Sequence, residues 1–345
     1  MTSPRPAADL IALDIGGANI KAADGLGWSR SEPFAMWREW GRLTEALGGF
    51  LASRPQRVVA TMSGEIADCF ASRAEGVGHI VQALAAAAAR AGCRDVGFYR
   101  IDGQIVGAAK ACDEHAAVAA SNWHALARLA VSLAPTDRTW LVDVGSTTVD
   151  LIPLHDRRPS PLACDDAGRM ASGELVYTGM ERTPVPAIVR FLPHRGVRRP
   201  VASELFAQSR DAWLLLGGLA EDASARDTAD GGPATREAAR RRLARSLLLD
   251  PERFTMDDAV AAADWVAATQ CRGVARAMLS LARGVGSPPT GLVISGHGQP
   301  LVGRAIARLG WKLDSVSVQA SLGADVARVG PAHALALIAR GELGA

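Results

Sequence analysis

The sequence predicts an α/β chain built from two related halves. Its 345 residues suit about two domains at roughly 150 residues each. Apolar runs closed by glycine or polar turns alternate with alanine-rich stretches of helical period. One pattern also occurs twice. LIALDIGGANIKAAD at 10–24 and WLVDVGSTTVDLIPL at 140–154 share an apolar run, an aspartate, an apolar residue, a glycine, and then glycine or serine. Asp14 aligns with Asp143, 129 residues further on. A repeat spaced by about one domain makes each copy the opening of its half.

The elements follow in order. LIALDIG and IKAADG read as the two strands of a hairpin, and RVVATMSGE as a strand with a polar tip. GVGHIVQALAAAAARAG, residues 76–92, reads as a helix, because alanine is the best helix former and Gly92 stands at the C-terminal cap position. DVGFYRI and QIVGAA are short strands. AAVAASNWHALARLAVSLAP is expected to be one helix stopped by Pro135. The strand-and-glycine pattern then restarts at 140. Near the carboxyl end, GLVISGHGQPLVGRAIARLG (291–310) reads as a strand running into Ser295-Gly296-His297-Gly298, with Gln299-Pro300 opening a helix.

Composition excludes several classes. With 48% hydrophobic and 21% charged residues the chain is globular. A net charge of +2, from 38 basic and 36 acidic residues, gives no single-sign field for nucleic acid or an anionic membrane. The local RGVRRP and RRRLAR runs read as solvated faces or phosphate clamps. Five scattered cysteines have neither disulfide nor zinc spacing and point to a reducing, cytoplasmic setting. No stretch reaches the ~18–20 apolar residues of a spanning helix. Small-molecule substrates are the expected partners, and a homodimer is compatible with the sequence without being indicated by it.

The repeated turn carries chemistry. Glycine after the aspartate lets successive backbone N–H groups converge on one point without an intervening side chain. In the first turn Gly16, Gly17, Asn19 and Lys21 are the candidate phosphate-binding residues, and in the second Gly145, Ser146, Thr147 and Thr148. Lys21 could equally face solvent by strand alternation. Asp14 and Asp143 would repel phosphate directly, so their useful role is to hold hydrated Mg2+ or orient a nucleophile. The Gly296-His297-Gly298 loop is a third anion site or a flat shelf for a nucleotide base.

Together these motifs give a resemblance. A first phosphate turn, a second near mid-chain and a late glycine loop resemble the actin-like ATPase superfamily. That resemblance implies two ribonuclease-H-like domains flanking a central cleft: residues 1–138 plus 318–345, and residues 139–317 with a helical insertion near 220–255. More narrowly, LDIGGANIKAA, TMSGEIADCF, AASNWHALA, VDVGSTTVDLIP, GELVYTGMERTPV and TADGGPATREAARRRLAR resemble hydantoinase/oxoprolinase-like proteins of tetrahydromethanopterin-linked one-carbon metabolism. Their archaeal relatives are methanofuran-biosynthesis synthases. Ile20 departs from this pattern, which has a threonine and its hydroxyl there.

The resemblance implies a transferase that joins a glutamylated tyramine phenol to an (aminomethyl)furanylmethyl diphosphate and releases diphosphate. Mg2+ near Asp14 and Asp143 would stabilise the leaving group, and a base must take the phenol proton. Glu65 is the first candidate for that base, followed by Asp68; the alternative is that Thr61, Ser63 and Glu65 cap a helix starting there. Asn122, Glu174, Tyr177, Arg182, Thr183 and His297 complete the candidate substrate contacts. Arg182 offers a fork for carboxylate or phosphate, whereas Tyr177 is read more simply as core cover. Arginines near 220–255 could form a lid over an anionic substrate, or belong to a plain surface insertion. The alternatives are an ATP-dependent kinase or hydantoinase/oxoprolinase-like ligase using the same cleft, and a nucleotide-binding assembly protein without turnover.

Overall fold

The computed structural model describes residues 9–343 and divides into two compact units. The first comprises the chain up to Thr139, Ile152–Asp166 and the stretch from Ser315 onward; the second comprises Trp140–Leu151 and Ala167–Asp314. The strands are β1 (Leu10–Ile15), β2 (Asn19–Ala23), β3 (Ser29–Pro33), β4 (Arg57–Met62), β5 (Asp95–Tyr99), β6 (Ile105–Val106) and β7 (Thr139–Val144). They continue with β8 (Val149–His155), β9 (Arg158–Pro159), β10 (Leu175–Val176), β11 (Phe191–His194), β12 (Val197–Pro200), β13 (Gly291–Gly296) and β14 (Asp314–Ser317).

The two main sheets share one topology. The first runs β3-β2-β1-β4-β5-β6 and the second β10-β8-β7-β13-β14. In each, a central strand carrying the repeated aspartate is flanked by its own hairpin partner on one side and by a later strand on the other. That common order is the ribonuclease-H-like arrangement in duplicate. In the first sheet β1 pairs antiparallel with β2 and parallel with β4. Every residue of β1 is buried, as a central strand covered on both faces requires.

Each unit has its own core. In the first, Ile11, Leu13, Val58 and Ala60 pack with Val77, Ile80, Leu84 and Ala88 of the helix Arg73–Ala91. That helix starts at Ser72, whose hydroxyl accepts from Glu75 N, and stops at Gly92 with φ 76°, in the left-handed region that favours glycine. In the second, Val142, Val144 and Leu151 pack with Cys271, Val274 and Met278 of the 29-residue helix Met256–Gly284. The helix Gly330–Arg340 packs on β1, β2 and β4. Arg340 fixes it by donating to both Asp9 carboxylate oxygens, at 3.0 and 2.7 Å.

Three local expectations need correction. The single helix expected over 116–134 is broken: His115–Val118 and Asn122–Leu133 are separate helices, with Ala120 between them at φ 49°. No helix starts at 61–65, so Thr61, Ser63 and Glu65 are not its caps. The arginines near 240 are not a free lid. Arg242 is fully buried, donating to Asp211 at 2.7 Å and Asp230 at 3.0 Å, and Arg240 donates to the carbonyls of Pro251 and Phe254. Arg242 thereby pins the loop before it, through Asp230 and the Pro233 carbonyl, and Arg240 pins the segment that follows the helix. Among the described residues no helix is long and apolar enough to cross a membrane.

Two glycines of one helix give a paired test. A Cβ on Gly76 would lie 2.1 Å from the carbonyl oxygen of Glu65, whereas on Gly78 it would meet nothing within 4 Å. Gly76→Ala is therefore expected to destabilise by about 1–3 kcal/mol, and Gly78→Ala to stabilise by up to about 1 kcal/mol. Urea midpoints moving in the same direction for both variants would contradict this packing.

Candidate functional site at the two acidic turns

The repeated turns are built alike. Gly16 N donates to Asn19 O at 3.0 Å, and Gly145 N donates to Thr148 O at 3.0 Å. Each closes a short loop between the central strand and its hairpin partner. The turn carbonyls are then consumed from outside: Gly17 O accepts from Met36 N and Ala18 O from Phe34 N. In the second unit Gly145 O accepts from Met180 N, and Ser146 O from both Glu181 N and Arg182 N. With most carbonyls satisfied, each turn offers a ligand its amides and, in the second, the half-buried hydroxyls of Ser146, Thr147 and Thr148. That polarity suits an anion.

A second repeat, which sequence reading missed, braces both turns. TMSGE at 61–65 and VISGH at 293–297 each end a strand neighbouring the central one with Ser-Gly. Ser63 N and Gly64 N donate to Ile15 O, while His297 N donates to Val144 O. The glycines are sterically required, because a Cβ on Gly64 would lie 2.9 Å from Gly16 O and one on Gly296 2.1 Å from Val144 O. A Cβ on Gly298 would strike the Val144 side chain at 2.1 Å. Both glycines of the loop expected to form a nucleotide shelf are thus also close-packed on Val144. Glu65 and His297 follow the Ser-Gly pairs at matching positions. The signal was the shared Ser-Gly at the ends of two apolar runs.

In the first unit, strand register explains the neighbours of Asp14. It pairs with Lys21 across the hairpin and with Thr61 across the parallel ladder, so the three stand in one row. Lys21 Nζ lies 3.7 Å from Asp14 Oδ2, which answers the question of solvent or site: the lysine turns toward the aspartate. Asp14 is 3% exposed and its Oδ1 has no hydrogen-bond partner. Burial pushes its carboxyl above the usual range, against the opposing pull of Lys21. Thr61 and Ser121 share a 2.7 Å hydroxyl contact, and Asn122 follows at the start of its helix, where Oδ1 accepts from Trp123 N. Ile20 is buried and contributes no donor.

Glu65 is wholly buried, and neither carboxylate oxygen has a hydrogen-bond partner. Burial drives its carboxyl upward, outweighing the pull of the nearby backbone and of Arg73. Arg73 itself donates to Asp166 at 2.6 Å. Asp68 is exposed on the same loop.

In the second unit the strap 178–183 is held over the turn. Gly179 N donates to Thr183 Oγ1 at 2.9 Å, and Gln270 Nε2 donates to Gly179 O at 2.9 Å and to Thr178 Oγ1 at 2.8 Å. Gly179 must be glycine, since a Cβ would sit 2.5 Å from Ser146 backbone atoms. Thr183 therefore braces the strap instead of facing a ligand. The strap brings Glu181 to His297, Nε2 to Oε1 at 2.8 Å, and Arg210 bridges Glu181 and Asp227. Burial pushes Glu181 up, but the His297 hydrogen bond and the Arg210 guanidinium outweigh it and hold the carboxyl below its usual range. Glu181, Arg210 and Asp227 were not foreseen as site residues. Asp143 is half-buried, and its Oδ1 lies 3.1 Å from where a Gly296 Cβ would stand.

Two further candidates fall elsewhere. Glu174 is fully buried and accepts from Ser172 Oγ at 2.7 Å, a packing role. Tyr177, read as core cover, is instead 62% exposed. The two residues of β10 leave too little strand to bury a ring beyond its end.

Comparison with known proteins now bears on these features. Residues 56–183 match the hydantoinase/oxoprolinase family model. Over that span the chain is similar to hydantoinase/oxoprolinase proteins. Three of the six resembling segments lie within it and a fourth, GELVYTGMERTPV, overruns its end by two residues. Beyond it, the chain is 28% identical over 337 residues to a (4-{4-[2-(gamma-L-glutamylamino)ethyl]phenoxymethyl}furan-2-yl)methanamine synthase of Methanocaldococcus jannaschii, covering 97% of this chain and 98% of that one. A synthase of the same name from Methanococcus vannielii is 28% identical over 210 residues, 59% of this chain and 92% of that one. Among solved structures, nucleotide-free acetone carboxylase matches with a TM-score of 0.49 at 14% identity, over 93% of this chain and 51% of that one.

Glu65 carries a stability consequence. Its folded-state affinity for a proton is raised above the ordinary value of 4.5, so its contribution is fully present below that pH and is lost as pH rises through the higher folded value. Glu65→Gln should therefore raise the melting temperature at neutral pH, with the gain shrinking toward pH 4.5. A melting curve series showing no pH dependence of that gain would refute the burial assignment.

Proposed function

We propose that this chain is a transferase of C1-carrier biosynthesis. It condenses an (aminomethyl)furanylmethyl diphosphate with the phenol oxygen of a glutamylated tyramine and releases diphosphate. The observation that carries this reading is the relatedness to the Methanocaldococcus synthase along nearly the whole of both chains. The name of that synthase describes an aryl ether, a phenol oxygen joined to a furan-bearing CH2, which is the bond such a condensation forms.

The bookkeeping of bonds sets what the protein must supply. The bond from the furfuryl carbon to diphosphate oxygen breaks and its electron pair leaves with diphosphate. The phenol oxygen forms the new bond, and its proton passes to a base. Amides and hydroxyls of Gly145, Ser146, Thr147 and Thr148 are suited to the leaving diphosphate, with Arg182 of the strap as a further donor. Glu65, whose burial raises its affinity for a proton, is assigned the phenol proton.

A hydrated Mg2+ fits the donor set. Asp14 Oδ1 is a buried carboxylate oxygen without a partner, a hard ligand of the kind this ion takes. Among the described residues no group of three or more His, Cys, Asp or Glu side chains could hold a metal, so water and substrate phosphate oxygens would complete its coordination. Asp143 is the corresponding carboxylate of the second turn. When bound, the ion would neutralise charge gathering on diphosphate.

The assignment is tested by incubating the protein with the two substrates and Mg2+ and following diphosphate release and ether formation. Glu65→Gln should lower turnover by about 10²–10⁴-fold while leaving diphosphate affinity unchanged. Asp143→Asn should remove Mg2+-dependent diphosphate binding, read by isothermal titration, with a melt that stays cooperative. Turnover that requires ATP, or ADP release on adding either substrate, would favour the ligase or kinase alternative and sink this reading.

A further inference from the structure

The first sheet ends at β3, and the register of that strand decides which of its backbone groups are already spent. In an antiparallel ladder, hydrogen-bonded pairs alternate with pairs that are not. At one end of the β2–β3 hairpin Asp24 N donates to Trp28 O at 3.3 Å, and at the other Phe34 N donates to Ala18 O at 2.9 Å. Counting inward from both ends, Ala22 with Arg30 and Ile20 with Glu32 are the bonded pairs. Ser29 and Ser31 consequently turn their N–H and C=O groups outward, and among the described residues no other backbone group takes them. Pro33 has no N–H to offer and closes the open stretch.

Open edges are commonly guarded by a charge that projects across them. Here Arg30 is folded back instead. Its guanidinium lies 4.7 Å from the centroid of the Phe50 ring, donates to Gly49 O at 2.8 Å and pairs with Glu32 at 3.0 Å. Alternation sends the Ser29 and Ser31 side chains to the opposite face. There they line a hollow of about 340 Å³ together with Asp325 and Arg328 of the helix Ala324–Arg328. Among the described residues neither of these charged side chains has an ion-pair or hydrogen-bond partner. Arg328 precedes Val329, which packs with Ala23, the residue facing Ser29. The guanidinium thus belongs to the Ser29 end of the hollow, and Asp325 lies about one helical turn before it.

We propose that this edge pairs with the same edge of a second copy of the chain, antiparallel about a two-fold axis at Arg30. Ser29 of one copy then faces Ser31 of the other and exchanges both hydrogen bonds with it, so every outward group of the two serines is satisfied. The Arg30 side chains meet at the axis, each already neutralised by its own Glu32. The same axis carries Arg328 of one copy toward Asp325 of the other, and the reverse. Charges left unpaired within one chain thereby become reciprocal partners. That self-complementarity favours a second copy over a foreign strand, because the edge and the flanking charges each supply what the other copy lacks. The pairing uses the first unit alone and is independent of the activity assigned above.

The test is the oligomeric state of the full chain, read by sedimentation equilibrium across a range of concentrations. A monomer–dimer equilibrium is expected with a Kd of about 10 µM or below. Asp325→Arg or Arg328→Asp alone sets like charges against each other across the axis and should weaken the dimer at least about tenfold. Combining the two reversals should restore it. Ser31→Pro removes an outward N–H without touching the ladder to β2 and should weaken the dimer as well; a cooperative melt checks that each variant keeps its fold. A monomer at every concentration up to about 100 µM would overturn the pairing and leave the edge to a strand of another protein. A dimer that neither single reversal weakens, or that the double reversal fails to restore, would overturn it too.

Discussion

Backbone touching backbone is the constraint on which both acidic turns depend. A strand ends in Ser-Gly, and the glycine lets that chain lie against the first residues of the neighbouring turn at a distance no side chain allows. The contact holds the carbonyls of Ile15 and Val144 inward as acceptors. A second segment from the other side, Phe34–Met36 or Met180–Arg182, takes further carbonyls. A turn whose acceptors are largely spent presents a ligand mainly with donors. Its suitability for an anion thus follows from how the turn is braced, and the aspartate is held among those braces at the end of its strand.

The shared bracing also explains why the two turns differ in chemistry while agreeing in shape. Position for position, Gly17-Ala18-Asn19 faces Ser146-Thr147-Thr148, and Glu65 faces His297. The first turn is poor in hydroxyls and stands beside two buried carboxyls, Asp14 and Glu65, both lifted by burial. The second is rich in hydroxyls and stands beside a charged relay in which His297, Glu181, Arg210 and Asp227 satisfy one another. Desolvated carboxyls favour taking up protons or holding a cation; hydroxyls backed by imidazole and guanidinium favour phosphate oxygens. Two turns of one shape accordingly present different chemistry because of what stands next to them.

Much of this was legible because the repeat is written in small residues. Asp14 and Asp143, their glycines, the hairpins and the strand-to-helix transition at Gln299-Pro300 all follow from local rules that sequence carries directly. The strap was harder. Gly179 and Thr183 look like ordinary loop residues until Ser146 is known to lie beneath them, and Glu181 gains its role only from His297, more than a hundred positions away. The break at Ala119–Ser121 was hidden by alanine, whose helix propensity argues for continuity while the Thr61–Ser121 hydroxyl contact demands a bend. The arginines of 240–245 misled for the opposite reason: composition reports charge, not burial, and Arg242 is wholly inside.

Burial also decides which reading of Glu65 is physically coherent. A fully desolvated carboxyl with neither oxygen hydrogen-bonded costs stability whenever it is ionised, and a neutral amide or an apolar residue of similar size would avoid that cost. Its side chain is therefore not explained by packing. The proton-accepting role proposed for Glu65 is consistent with such a place. The same reasoning separates it from Glu174, equally buried but satisfied by Ser172, for which structure alone is sufficient reason. Satisfaction, not depth, distinguishes the two: Ser172 accounts for Glu174, and no hydrogen-bond partner does the same for Glu65.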